Sequence, residues 1–146
     1  MERLVESLAF REAMRKHAEL PRSVVRLMPH DGDAVHVRVE VPQTEAEQRR
    51  GLMFRDDVPE GTGMLFPFPH ERLASFWMKN VRVPLDMIFI DRDSKIVKVV
   101  DSAEPMDEEP HQSVVPVAAV LEVPGGFCRK HGIDAGGRAV IGATDV

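Results

Sequence analysis

The chain has one cysteine, Cys128, among its 146 residues. No intrachain disulfide can form from it, and no Cys-x-x-Cys pair offers a redox or zinc motif. Such sparing use of cysteine fits a reducing compartment. No uninterrupted apolar run approaches the roughly 18 residues that a membrane-spanning helix needs. The opening stretch, MERLVESLAFREAMRKHAEL, is broken by charges every few residues. It therefore lacks the apolar centre of a signal peptide, and the expectation is a cytoplasmic protein without a membrane segment. Blocks of like charge are missing too. Arg49-Arg50, Asp56-Asp57 and Glu108-Glu109 are short pairs that read as solvated surface. The formal net charge of −5 speaks against a nucleic-acid partner, because phosphate binding rests on clustered Lys and Arg.

Catalytic and metal signatures are equally scarce. The histidines, at 17, 30, 36, 70, 111 and 131, form neither His-x-His nor His-x-x-x-His, so no zinc motif is present. The methionines at 53, 64, 78 and 87 are soft enough to hold Cu(I), but none is paired as Met-x-x-Met, and gap filling in a core is the plainer role. There is no Gly-x-Ser-x-Gly elbow, and Gly136-Gly137-Arg138 lacks the spacing of a phosphate-binding loop. No metal is expected, and no cofactor is named by any motif. Cys128 stands near an expected helix start beside Arg129 and Lys130. Both features would lower a thiol pKa, although a buried structural thiol is the plainer reading.

What is present is an ordinary globular composition, 43% hydrophobic and 29% charged, of a length that suits one domain. Residues 2 to 19 are rich in helix formers, with Val5, Ala9 and Ala13 at four-residue spacing. Pro21 ends that helix. We divide the chain into an accessory N-terminal helix (1–22) and a β-rich domain (23–146). The helix can dock on the domain or pair two copies of the chain as a homodimer.

The β-rich part alternates short strands with turns. Val35, Val37, Val39 and Val41 alternate with His36, Arg38 and Glu40, the period of a half-buried strand, and 23 to 28 supplies its hairpin partner. Thr44-x-x-Glu47 is a capping box and predicts a helix from 45 to about 51, stopped by Gly51. Further strands are expected over 64–68, 73–79, 86–91, 95–101, from about 117 to 123, and 138–141, with a loop over 102–112 and a short helix over 125–131. Roughly eight short strands predict an α+β fold, mostly antiparallel β: a compact barrel-like or sandwich-like domain with two short helices besides the N-terminal one. Closure would protect so many short edges.

Three stretches are distinctive: Gly51-Leu52-Met53-Phe54-Arg55 with Gly63-Met64-Leu65-Phe66; Phe76-Trp77-Met78-Lys79-Asn80 with Val83-Pro84-Leu85-Asp86 and an apolar run to Asp91; and Val120-Leu121-Glu122 before a Gly-rich turn. Together they closely resemble the domain of unknown function 192 family over about residues 35 to 142. The resemblance implies a compact β-rich domain of bacteria and archaea and carries no established activity. Many relatives in that family carry an export signal. Three positions depart from the family pattern: Val81 replaces a Thr, Ala119 an aromatic residue, and Gly137 an Asp. A ligand held by those groups elsewhere would be held differently here.

The motif residues suggest five candidates for a ligand site: Arg55, Trp77, Lys79, Asn80 and Asp86. On a strand over 73–79, Phe76, Met78 and Asn80 share one face, and Trp77 and Lys79 the other. Phe76 and Met78 read as core. Trp77 and Lys79 can floor a pocket or form a snorkelling Lys on a buried ring. Asn80 suits a turn. Asp86 can pair with Arg55 or Lys79, or act as a base. The Arg55 guanidinium suits a carboxylate or phosphate. The leading expectation is a domain that binds a small anionic molecule through these residues. One alternative is an enzyme using Asp86 or Glu122 as acid or base; another is a structural or protein-interaction module.

Overall fold

The computed structural model describes residues 20–142. The expected N-terminal helix, and the homodimer built on it, lie outside the described residues. The strands are β1 (Arg22–Met28), β2 (Val35–Glu40), β3 (Thr62–Arg72), β4 (Ser75–Phe76), β5 (Leu85–Ile90), β6 (Ile96–Ala103), β7 (His111–Gln112), β8 (Val117–Pro124) and β9 (Arg138–Ile141). Two short helices, α1 (Glu45–Arg50) and α2 (Phe127–His131), interrupt them. None of the described helices is long and apolar enough to cross a membrane.

Seven strands form one sheet in the order β6-β5-β8-β3-β2-β1-β9, and β4 pairs with β7 in a separate ribbon. The fold is mostly β, as expected, but not a closed barrel. Its outer strands meet at one antiparallel bridge, Lys95 to Arg138. Backbone bonds from Ile96 N–H to Gly137 O (2.9 Å) and from Ala139 N–H to Ser94 O (2.8 Å) flank it. Nor is the sheet purely antiparallel: β2 and β3 run parallel, with Val39 opposite Gly63. A parallel pair needs a long crossover, and residues 41–61, which contain α1, provide it.

Both faces of the sheet are covered. One face packs Val25, Val37, Leu65, Ile88 and Leu121 with Phe127 of α2. The other packs Met64, Phe66, Met87, Phe89 and Val120 against Leu52, Met78 and Val81 from the connecting loops. β5 lies between these two cores, and all six of its residues are buried. Such a strand loses the polar alternation of a one-sided sheet. β2 keeps it: Val37 and Val39 are buried while His36 and Arg38 are exposed.

The strand expected over 73–79 shrinks to Ser75–Phe76. The chain then turns, with Val81 N–H on Met78 O (3.0 Å) and Met78 N–H on Asp107 O (2.8 Å). Asn80 sits in this turn at a left-handed φ of 60°, a conformation Asn tolerates better than most residues. The region expected as a loop, 102–112, contributes the last residues of β6 and the whole of β7.

Candidate ligand-binding site

A cleft of about 1000 Å³ opens between α1, β3 and the β4 segment. Its apolar lining includes Leu52, Met53, Phe66, Phe76 and Trp77. Phe66 and Phe76 meet edge to face, with ring centroids 4.9 Å apart, a favourable arrangement for aromatic pairs. Arg49, Arg50, Arg72 and Lys79 bring positive charge to the same cleft, against the carboxyl groups of Glu45 and Glu122.

α1 is where the sequence directs it. The Thr44 hydroxyl accepts from Glu47 N–H (3.0 Å), and the Glu47 carboxylate accepts from Thr44 N–H (2.9 Å). That reciprocal cap fixes the first turn. The Gln48 amide donates to Pro67 O (3.2 Å) and so ties the helix to β3. Gly51 ends α1 at φ 50°, and a Cβ there would stand 3.2 Å from the Phe66 ring. This gives the GLMFR glycine a physical reason. The GMLF glycine has another: a Cβ on Gly63 would meet the Glu122 carbonyl oxygen at 2.3 Å.

Two of the five candidates, Trp77 and Lys79, line the cleft. Trp77 is 42% exposed, and the Lys79 ammonium stands 5.1 Å from its ring centroid, within cation–π range. Arg55, Asn80 and Asp86 are not in its lining. The Arg55 guanidinium instead grips Glu40 through two bonds, Nη1 to Oε1 (2.9 Å) and Nη2 to Oε2 (2.7 Å). The Asn80 carbonyl accepts from Phe54 N–H (2.8 Å), which locks the FWMKN turn to the GLMFR loop. Arg82 reinforces that junction through Asp56 (2.8 Å).

Asp86 is fully buried on β5. Its Oδ1 accepts from Ser102 N–H (2.7 Å) and Gly126 N–H (3.1 Å), and its Oδ2 from Cys128 N–H (2.8 Å). The first turn of α2 has no cap from its own side chains. A carboxylate from a distant strand satisfies those N–H groups instead, and its charge suits a helix start. Asp86 faces backbone, and neither the Arg55 nor the Lys79 pairing expected from the motifs forms. The neighbouring Cys128 is buried, and burial, with the Asp86 charge next, pushes its thiol pKa up. This reverses the lowering suggested by its basic neighbours: Arg129 turns away to pair with Asp101 (3.2 Å).

Glu122 is the group whose environment stands out. It lies on β8 opposite Met64 of β3 and Met87 of β5. It shares the face of Val120, two residues earlier. It is 4% exposed and lines the cleft. Among the described residues its carboxyl has no hydrogen-bond or ion-pair partner. Burial raises its pKa to about 8, since a carboxylate loses more by desolvation than a neutral acid.

The cleft is thus built from the GLMFR, GMLF, FWMKN and VLE segments together, and the sequence pattern of the DUF192 family, described as an uncharacterized ACR, matches residues 27–141. The chain belongs to the DUF192 family. Two solved structures are similar to it. One is a Sinorhizobium meliloti 1021 protein described as a putative transcription regulator, 34% identical, covering 84% of this chain and 95% of its own, with a TM-score of 0.81. The other is a protein of unknown function from Novosphingobium aromaticivorans DSM 12444, 36% identical, covering 83% of this chain and 86% of its own, with a TM-score of 0.79. No curated protein matches the chain.

Sequence reasoning alone missed Glu40 as the partner of Arg55, and Arg49, Arg50 and Arg72 as cleft residues. Two signals pointed to the cleft. A basic pair stands one residue beyond the capping box, and a lone acid, Glu122, interrupts an otherwise apolar strand.

Proposed function

We propose that this DUF192 domain binds a small anionic molecule with an apolar or planar body in the cleft beside Trp77. The observation that carries this reading is the composition of the cleft: aromatic walls, four cationic side chains, and a carboxyl that stays largely uncharged at neutral pH. Glu45 is exposed and pairs with Arg49 at 3.3 Å, so that pair adds little net charge and the positive field rests on Arg72 and Lys79. The volume lies at the upper end of the ~300–1,000 Å³ usual for small-molecule sites, and an apolar lining with a few polar groups is their usual make-up. The acidic surface as a whole, at net −5, gives no support to nucleic-acid binding.

Trp77 is the chain's one tryptophan, so its fluorescence reports on the cleft without labelling. Titration with 1-naphthyl phosphate is expected to quench it in a saturable, salt-sensitive way, because exposed charge pairs are screened. Lys79→Ala and Arg72→Ala should each weaken binding several-fold. Absence of saturable quenching, or binding indifferent to both substitutions and to salt, rules the reading out.

A second reading rests on Glu122 alone. A carboxyl with a pKa of about 8 in a cleft is suited to exchange protons near neutrality, as a general acid or base must. Turnover of a bound compound, lost in Glu122→Gln while binding persists, would favour catalysis over binding.

A further inference from the structure

Resting on the anion-binding reading, we infer that Glu122 is the specificity determinant of the cleft, and that its ligand is a planar heterocyclic anion with a hydrogen-bond donor beside an acceptor on its ring edge, as in a nucleobase. A buried polar group without a partner is costly. Proteins leave few of them, and those that remain call for an explanation. Glu122 is 4% exposed, faces an open cleft, and has no partner among the described residues. The strands on either side set Met64 and Met87 against it and supply no polar group. Among the described residues, the charged groups that share the cleft with it are Glu45, Arg49, Arg50, Arg72 and Lys79.

The chemistry of the missing partner follows from these surroundings. A protonated carboxyl presents one O–H donor next to one carbonyl acceptor. Its complement is an edge with the same two functions in reverse order, which closes two parallel hydrogen bonds. Amide-like and amidine-like ring edges have that geometry on a flat body; ionised aliphatic acids lack the donor, and hydrogen phosphate, which has both functions, lacks the ring. Phe76 and Trp77 line the cleft and are the aromatic groups on which such a ring would stack. Arg72 and Lys79, which line the same cleft, suit the ligand's phosphate or carboxylate.

The experiment compares four probes by Trp77 quenching and calorimetry: UMP, orotate, 1-naphthyl phosphate and inorganic phosphate. UMP or orotate is expected to bind at least about tenfold more tightly than 1-naphthyl phosphate, the worth of about one well-made hydrogen bond to a buried site. Whichever of the two binds more tightly tells a nucleotide from a free heterocyclic acid. Glu122→Leu should abolish that preference, bringing UMP and orotate to the affinity of 1-naphthyl phosphate in the same variant. Glu122→Gln, which keeps a donor beside an acceptor, should retain the preference at pH 7 and hold it above pH 8, where the wild type loses it. Equal binding of UMP, orotate and 1-naphthyl phosphate, or a preference that survives Glu122→Leu, overturns the inference and leaves the anion site standing. Failure of every probe to bind overturns both.

Discussion

Glu122 is a carboxyl that β8 buries with no partner among the described residues, and the expected cost is a dependence of stability on pH. In the unfolded chain the group ionises near its ordinary value of 4.5; in the folded chain it holds its proton up to about 8. Between those limits the folded state carries one more proton, so rising pH favours unfolding by roughly 1.4 kcal/mol per unit. Below 4.5 the effect of this group is absent, and above 8 it is complete. Glu122→Gln removes the titration. The variant should match the wild type in urea denaturation near pH 4.5 and exceed it progressively up to pH 8. A difference independent of pH would show that Glu122 has a partner in the native state. Asp86 is the opposite case, a buried carboxylate with three backbone N–H groups around it. Sequence reasoning found both acids, yet it had no means of telling the satisfied one from the unsatisfied one. The partners of Asp86 lie 16 to 42 residues away, and Glu122 has none among the described residues.

Local chemistry made α1 legible. The capping box, the basic last turn and the terminating Gly51 all lie within eight residues of one another, and the helix spans Glu45–Arg50 as the pattern requires. Thr44→Ala should cost about 1 kcal/mol, typical of a lost N-cap, read as a lower thermal midpoint. It should also weaken anion binding, because α1 carries Gln48, Arg49 and Arg50 to the cleft; a variant with lowered stability and unaltered affinity would separate the helix from the site. Strands with one wet face were equally legible from period-two alternation. The 73–79 segment was not. Its apolar residues alternate in burial, with Met78 inside and Trp77 outside, yet the backbone turns at Asn80, whose conformation is set by contacts with the GLMFR and 104–109 loops.

Across the whole molecule, the order of strands was the least legible feature. Short-range signals name hairpins such as β1–β2 and β5–β6. They carry nothing about β8 lying between β5 and β3, or about the parallel β2–β3 pair, which depend on contacts between distant residues. The family resemblance predicted a β-rich domain without giving its strand order. The seam between Lys95 and Arg138 is the thinnest join in the sheet, while β5 and β8 are buried on both sides. Amide hydrogen exchange at Ile96 and Ala139 should therefore proceed through local opening, well ahead of exchange at Ile88 and Leu121, which await global unfolding. Equal protection at all four would mean that the seam opens only with the rest of the sheet.

Cys128 is a buried residue of α2 with its ionisation suppressed, and the thiolate is the form that reacts with electrophiles. Maleimides and mild oxidants should pass it by in the folded protein. A cysteine introduced on the rim of the cleft would then be the one thiol open to attachment of a fluorophore or spin label, with no native residue to remove first.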